Sequence, residues 1–241
     1  MATTGPLRRF CGLCSADLDE LAALHAGELD GAAVLALRRV GFPDSLGVRL
    51  VSERGRSILA SMAAVVAELD DGADSLDRHA ADFAAIYLTH GYGAAPSESV
   101  WLDDEGLAMQ GPMFEVRRAY ARQGLKAPDW RLRPDDHLVH QLEFVAVLVG
   151  RGDHEALETA AAFLDAHLLR WLPAFAARVA ARSETSFYAG LAALTAVYLE
   201  ELREVLAQVL ERPRPVVEPL PRRGAPSAEE APYLPGLGPG W

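Results

Sequence analysis

Apolar residues return every three or four positions along nearly the whole chain, and no segment holds the alternation of a half-buried strand. That periodicity predicts an all-α architecture. A first helix is expected after Ser15, a good N-cap residue, with Leu18, Leu21, Ala22 and His25 on one side. Ala32 to Arg39 forms a second. Leu50 to about Leu69 forms a third through Ile58, Leu59, Met62, Val65 and Val66. Ser75 to Thr89 follows, with Leu76, His79, Phe83, Ile86 and Tyr87 on its buried side. The glycines and proline of His90 to Asp104 predict an irregular loop.

Further helices are expected over Gly111–Gln123, Asp135–Val149, Asp153 to about Arg170, a turn near Pro173, and Thr185 to Leu210. Eight of the 15 prolines lie between Pro213 and Pro239, where few apolar residues are available for burial. The expected organisation is therefore one globular domain of about eight to nine helices over residues 1–211. A flexible Pro/Gly-rich tail over 212–241 completes the chain.

Charge and cysteine content narrow the function. Lys and Arg number 23 against 34 Asp and Glu, a net charge of −11. Phosphate binding needs clustered cations, so nucleic acid is an unsuitable partner, whereas a basic peptide is steered toward such a surface. No run approaches the length of an apolar membrane span, so no stable membrane insertion is expected. Arg8-Arg9-Phe10 resembles an export signal, but Asp17, Asp19 and Glu20 follow where such a signal is apolar. A cytoplasmic location is expected. Cys11 and Cys14 form a Cys-x-x-Cys without the strands of a redox fold or the extra ligands of a zinc site, so both are expected to be reduced thiols.

Catalytic constellations are missing from the sequence. No Glu-x-x-His pair of a di-iron bundle occurs, and His90-Gly91-Tyr92-Gly93 lacks the nucleophile elbow that an esterase loop serves. No phosphate-binding glycine loop is present. In His137-x-x-His140-x-x-Glu143 the second and third groups turn about 60° and 120° away from the first, so the three converge poorly on a metal. The expectation is a binding protein, neither an enzyme nor a holder of any cofactor.

Three segments carry a resemblance. Pro96-Ser97-Glu98-Ser99-Val100-Trp101 is the first. Pro134-Asp135-Asp136-His137-Leu138 with Gln141-Leu142-Glu143-Phe144 is the second. His167-Leu168-Leu169-Arg170-Trp171-Leu172-Pro173-Ala174-Phe175, followed by Phe187-Tyr188 and Leu191-Ala192, is the third. Together and in this order they resemble the TorD/DmsD/NarJ family of redox-enzyme maturation chaperones. Tyr92-Gly93, Ser97 and Gln141 depart from the family's usual Gly-Pro, aromatic and Glu.

The resemblance implies an all-helical chaperone that binds the twin-arginine signal peptide and apo form of a molybdopterin-dependent oxidoreductase, assists cofactor insertion and delays export. It also implies an alternative, a NarJ-like assembly factor for a client that is not exported. Either would be a monomer or a domain-swapped dimer. The implied groove runs between the loop through Trp101 and the helix starting near Asp136.

Candidate contacts are Pro96, Glu98, Ser99 and Trp101 on the loop, with Asp136 and His137 at the helix start. Gln141 and Phe144 share the helix face of His137. Asp136 has a local reading too, as the cap of its helix. Trp101 has one as an anchor pinning the loop.

Overall fold

A computed structural model describes residues 5–215. Among them lie ten α-helices: α1 Gly5–Ala26, α2 Gly31–Val40, α3 Glu53–Glu68, α4 Ala73–Phe83, α5 Ser99–Leu102, α6 Gly111–Arg122, α7 Leu138–Arg151, α8 His154–Ala166, α9 Leu168–Arg182 and α10 Ser186–Val209. A π-helical turn, Ala84–Leu88, extends α4. No strand occurs among the described residues; the sole ladder fragment is an isolated antiparallel bridge between Ser97 and His137. The all-α expectation holds. The count rises above nine because Ser99–Leu102 closes one helical turn inside the expected loop, and because the helix expected through Arg170 breaks at His167.

Two helices make the centre. α7 buries residues on every side, among them Leu138, Leu142, Val145, Leu148 and Val149, and packs between α1 and α8. α10 buries Phe187, Tyr188, Leu191, Leu194, Tyr198, Leu202 and Leu206 against α3, α8, α9 and α1. A helix apolar all round must be enclosed by others, which fixes both at the core. Local chemistry sets several ends: Asp30, Ser52 and Asp153 accept from Ala33, Gly55 and Ala156 N–H groups at 2.7, 2.8 and 2.9 Å. Gly41 and Gly152 end α2 and α7 with φ of 74° and 67°, values that favour glycine.

α1 departs most from expectation. It begins at Gly5, ten residues before Ser15, and buries Cys11, Cys14, Leu18, Leu21 and His25 in one stripe. The cysteines are thus core residues of a helix face packed on α7 and α10. Two side chains of this face, and the chain just beyond it, make long-range polar ties. Asp17 accepts from the N–H groups of Gly47 and Val48 and from Tyr198 Oη at 2.7, 3.0 and 2.9 Å. His25 meets Tyr87 Oη at 2.6 Å and Thr195 Oγ1 at 2.9 Å. Tyr188 Oη accepts from the Leu29 N–H at 3.0 Å.

The flexible tail expected over 212–241 lies mostly outside the described residues. Within its four described residues, 212–215, Arg212 pairs with Glu158 at 2.8 Å and Arg214 with Glu200 at 2.6 Å. Among the described residues no helix is long and apolar enough to cross a membrane.

Candidate functional site

The first two motif segments are laced together. Glu98 N–H donates to the Asp136 carbonyl at 3.1 Å and Leu138 N–H to the Pro96 carbonyl at 2.8 Å, the two bonds flanking the Ser97–His137 bridge. Where a peptide groove is expected between loop and helix, backbone pairing joins the two directly at this point. His137, not Asp136, is the N-cap of α7, its Nδ1 accepting from the Val139 N–H at 3.2 Å. Asp136 turns the other way. Its Oδ2 accepts from Ser99 N–H at 2.7 Å and from Ser99 Oγ at 2.6 Å, which starts the one-turn α5.

The third motif enters through His167, the joint between α8 and α9. Its Nδ1 lies 2.9 Å from Glu98 Oε1, so one proton is held between imidazole and carboxyl. The other Glu98 oxygen accepts from Gln141 Nε2 at 2.9 Å, and the same amide donates to the Asp136 carbonyl at 3.0 Å. Glu98, Ser99, Asp136, Gln141 and His167 thus form one buried network uniting the three segments.

Burial raises both carboxyls. For Glu98, hydrogen bonding to and charge on His167 oppose the rise, and for Asp136 the two bonds from Ser99 do. Burial, with Arg133 and neighbouring histidines, pushes His137 well down. Asp136 Oδ1 and Gln141 Oε1 are buried acceptors without a donor.

The other expected contacts are packed. Pro96 is buried, and Phe144 lies in an aromatic stack with ring centroids 4.6 Å from Tyr120 and 4.7 Å from Phe163. Phe163 in turn lies 4.6 Å from His167. Trp101 is half-buried: its Nε1–H donates to the Ala95 carbonyl at 2.9 Å, Phe175 meets its ring edge-on, and the Arg178 guanidinium sits over it at 5.9 Å.

Loop and helix start were paired as candidates from the sequence, and the structure brings them into contact. It adds His167, Tyr120, Phe163 and Arg178, which sequence reasoning left out of the site. The spacing of His167 inside its motif was the available signal, since a histidine at a helix joint is free to turn inward. Among the described residues no group of three or more His, Cys, Asp or Glu side chains is arranged to hold a metal ion. The Ser99 hydroxyl and the His167 imidazole are both buried and engaged with carboxyls of the network, which fastens the loop to α7 and to the α8–α9 joint.

Comparison with known proteins decides what such a frame belongs to. The family described as nitrate reductase delta subunit matches residues 52–177, which takes in the first two motifs and the third up to Phe175. The chaperone protein TorD of Vibrio cholerae serotype O1 is 30% identical over 152 residues, covering 59% of this chain and 69% of its own. The chain belongs to the TorD-like family of redox-enzyme maturation chaperones. TorD of Vibrio parahaemolyticus serotype O3:K6 is 29% identical over 143 residues, 56% of this chain and 66% of the relative. TorD of Vibrio vulnificus is 32% identical over 129 residues, 50% and 60% of the two chains. These relatives are chaperones by name, and the TorD-like family is not a family of enzymes.

Proposed function

We propose that the chain is a cytoplasmic, system-specific chaperone for one molybdopterin-dependent oxidoreductase. It binds the client's twin-arginine signal peptide and apo form, keeps the apoprotein receptive to the molybdenum cofactor and delays export. The observation carrying this reading is the convergence of three TorD-like motifs on one buried network. Such a network specifies one arrangement of the loop against α7.

In this reading Pro96, Glu98, Ser99, His137, Gln141 and Phe144 hold the recognition loop from behind. Exposed surface at the edge of that loop makes contact, chiefly Leu88 at the end of the π-helical turn, 65% exposed, and the accessible part of half-buried Trp101. An apolar peptide segment gains affinity by covering them, and the negative surface draws in its basic end. Asp136 Oδ1 and Gln141 Oε1, which lack donors, are acceptors for a client guanidinium once the loop parts from α7.

A second reading is favoured by the family description itself. Nitrate reductase delta subunit suggests a NarJ-like assembly factor whose client is not exported and lacks paired arginines. Affinity capture of the tagged protein from its anaerobically grown host, with mass spectrometry of the partner, tests both. A molybdopterin oxidoreductase retaining a twin-arginine signal is expected. The same class of enzyme without such a signal would move the second reading ahead, and no molybdoenzyme under any respiratory condition would remove both.

A further inference from the structure

One turn along α7 from the network, His140 has a relation to its surroundings that the fastening role does not use. Its side chain is 3% exposed, and its Nδ1 lies 3.3 Å from Glu143 Oε2. A carboxylate only accepts, so the imidazole carries a proton on Nδ1, and in the neutral form Nε2 is a lone-pair acceptor. That Nε2 is buried and has no donor. A buried acceptor left bare is costly, and native interiors seldom tolerate one without a reason.

His140 also forms part of the wall of a pocket. Tyr120 of α6, Leu125, Ala127 and Pro128 of the following loop, and Phe144 and Val147 of α7 make the rest of its apolar lining. Val147 is 42% exposed on a helix whose other apolar side chains are buried. The pocket holds about 160 Å³. An engineered apolar cavity of about 150 Å³ accepts benzene, so this open pocket is of a size for one aromatic side chain.

Glu143 and Lys126 stand at the rim. Asp19 on α1 adds a second carboxylate nearby, raised by its own burial and then by the charge of Glu143. Among the described residues neither carboxylate forms an ion pair with a Lys or Arg, so the mouth favours a ligand of positive rather than negative charge.

We propose that this pocket is a subsite for one tyrosine or tryptophan side chain of a basic partner polypeptide, the ring filling the apolar space and, as its entry parts the wall covering His140 Nε2, its O–H or N–H donating to that nitrogen. A phenylalanine fills the same space but leaves the acceptor bare. The subsite therefore discriminates by hydrogen bonding, the mode in which a buried polar group rejects an analogue lacking its partner. The inference rests on the reading that the chain docks a polypeptide, but its test needs no client.

Titration of the intact protein with N-acetyl-tyrosinamide, N-acetyl-tryptophanamide and N-acetyl-phenylalaninamide reads the subsite directly. Saturable binding with a dissociation constant on the order of a millimolar is expected for the first two. Binding of the phenylalanine derivative is expected to be about fivefold weaker or more, the worth of one hydrogen bond. The His140 Nε2 resonance in a ¹⁵N spectrum should shift with the tyrosine derivative alone of the tyrosine–phenylalanine pair. His140→Phe should bring the two affinities together. Val147→Trp, at an exposed rim position, should block all three ligands and serves if His140→Phe does not fold. Equal affinity for the tyrosine and phenylalanine derivatives, no saturable binding, or binding undisturbed by Val147→Trp would overturn the proposal. Such a failure leaves the client capture untouched, so the two ideas fail separately.

Discussion

Asp136 illustrates how burial changes the meaning of a motif residue. On the sequence it is an acid at a helix start, and alanine there is expected to weaken peptide binding while sparing the fold. In the structure the side chain is fully buried and carries two bonds to Ser99 at 2.7 and 2.6 Å. Removing it strands a buried hydroxyl and a backbone N–H and unties the loop from α7. Asp136→Ala should therefore cost about 2–4 kcal/mol in urea unfolding, the range for breaking a buried hydrogen-bonded charge. A loss below about 0.5 kcal/mol would show that the network does not hold the loop. Gln141→Glu, which restores the family's usual residue, would replace the donating amide and set a third carboxyl beside Glu98 and Asp136. In this chain the Gln141 amide instead gives one donor each to the Glu98 carboxyl and the Asp136 backbone carbonyl.

Elements differ in how much of them the sequence discloses. α7 and α10 are legible because their apolar runs are long, and α2 and α8 because Asp30 and Asp153 mark their starts, whereas α3 starts at Glu53 behind the cap Ser52, three residues after the expected Leu50. α1 is misread at its beginning because Ser15 has the chemistry of a cap, yet the helix runs straight through it. The spacing of Cys11, Cys14, Leu18, Leu21 and His25 was the better guide, since it repeats three and four without a break. That reading makes Cys-x-x-Cys a by-product of a packed face.

A prediction follows for α1. Burial pushes the Cys14 thiol up to about 12 and also raises Cys11, so little thiolate exists at pH 8. Ellman's reagent should modify both cysteines at least about a hundredfold more slowly in the folded protein than in urea. Rapid stoichiometric reaction of the native chain would mean that the first half of α1 does not stay docked, and would reopen a redox role.

At the scale of the whole molecule, the polar ties that the sequence could not disclose join residues far apart in the chain. His25 meets Thr195, Asp17 meets Tyr198 and Glu98 meets His167, and no local pattern announces a partner so distant. The first of these ties makes stability depend on pH. Thr195 spends its hydroxyl proton on the Leu191 carbonyl at 2.9 Å, so His25 Nε2–H must donate to Thr195 while Nδ1 accepts from Tyr87. The ring is thereby fixed neutral, and burial pulls it down to about 3. His137 is lowered as well and caps α7 through a lone pair that protonation removes.

A histidine lowered in the fold is protonated first in the unfolded chain. Stability is therefore complete above about pH 6.5 and falls as the pH drops from there toward the folded value. Each such histidine contributes a slope of up to about 1.4 kcal/mol per pH unit. Glu98 and Asp136 act in the opposite sense, because raised carboxyls take up protons preferentially in the fold. Their gain sets in where they protonate in the fold, above the unfolded carboxyl range, and subtracts from the histidine loss, which should be clearest just below about pH 6.5. Urea midpoints should fall as the pH drops below about 6.5. His25→Gln should be less stable at pH 7.5 but shallower in slope by about one proton. A wild-type midpoint unchanged from pH 7 to 5.5 would mean that the core takes up the His25 proton without losing the tie between α1 and α10.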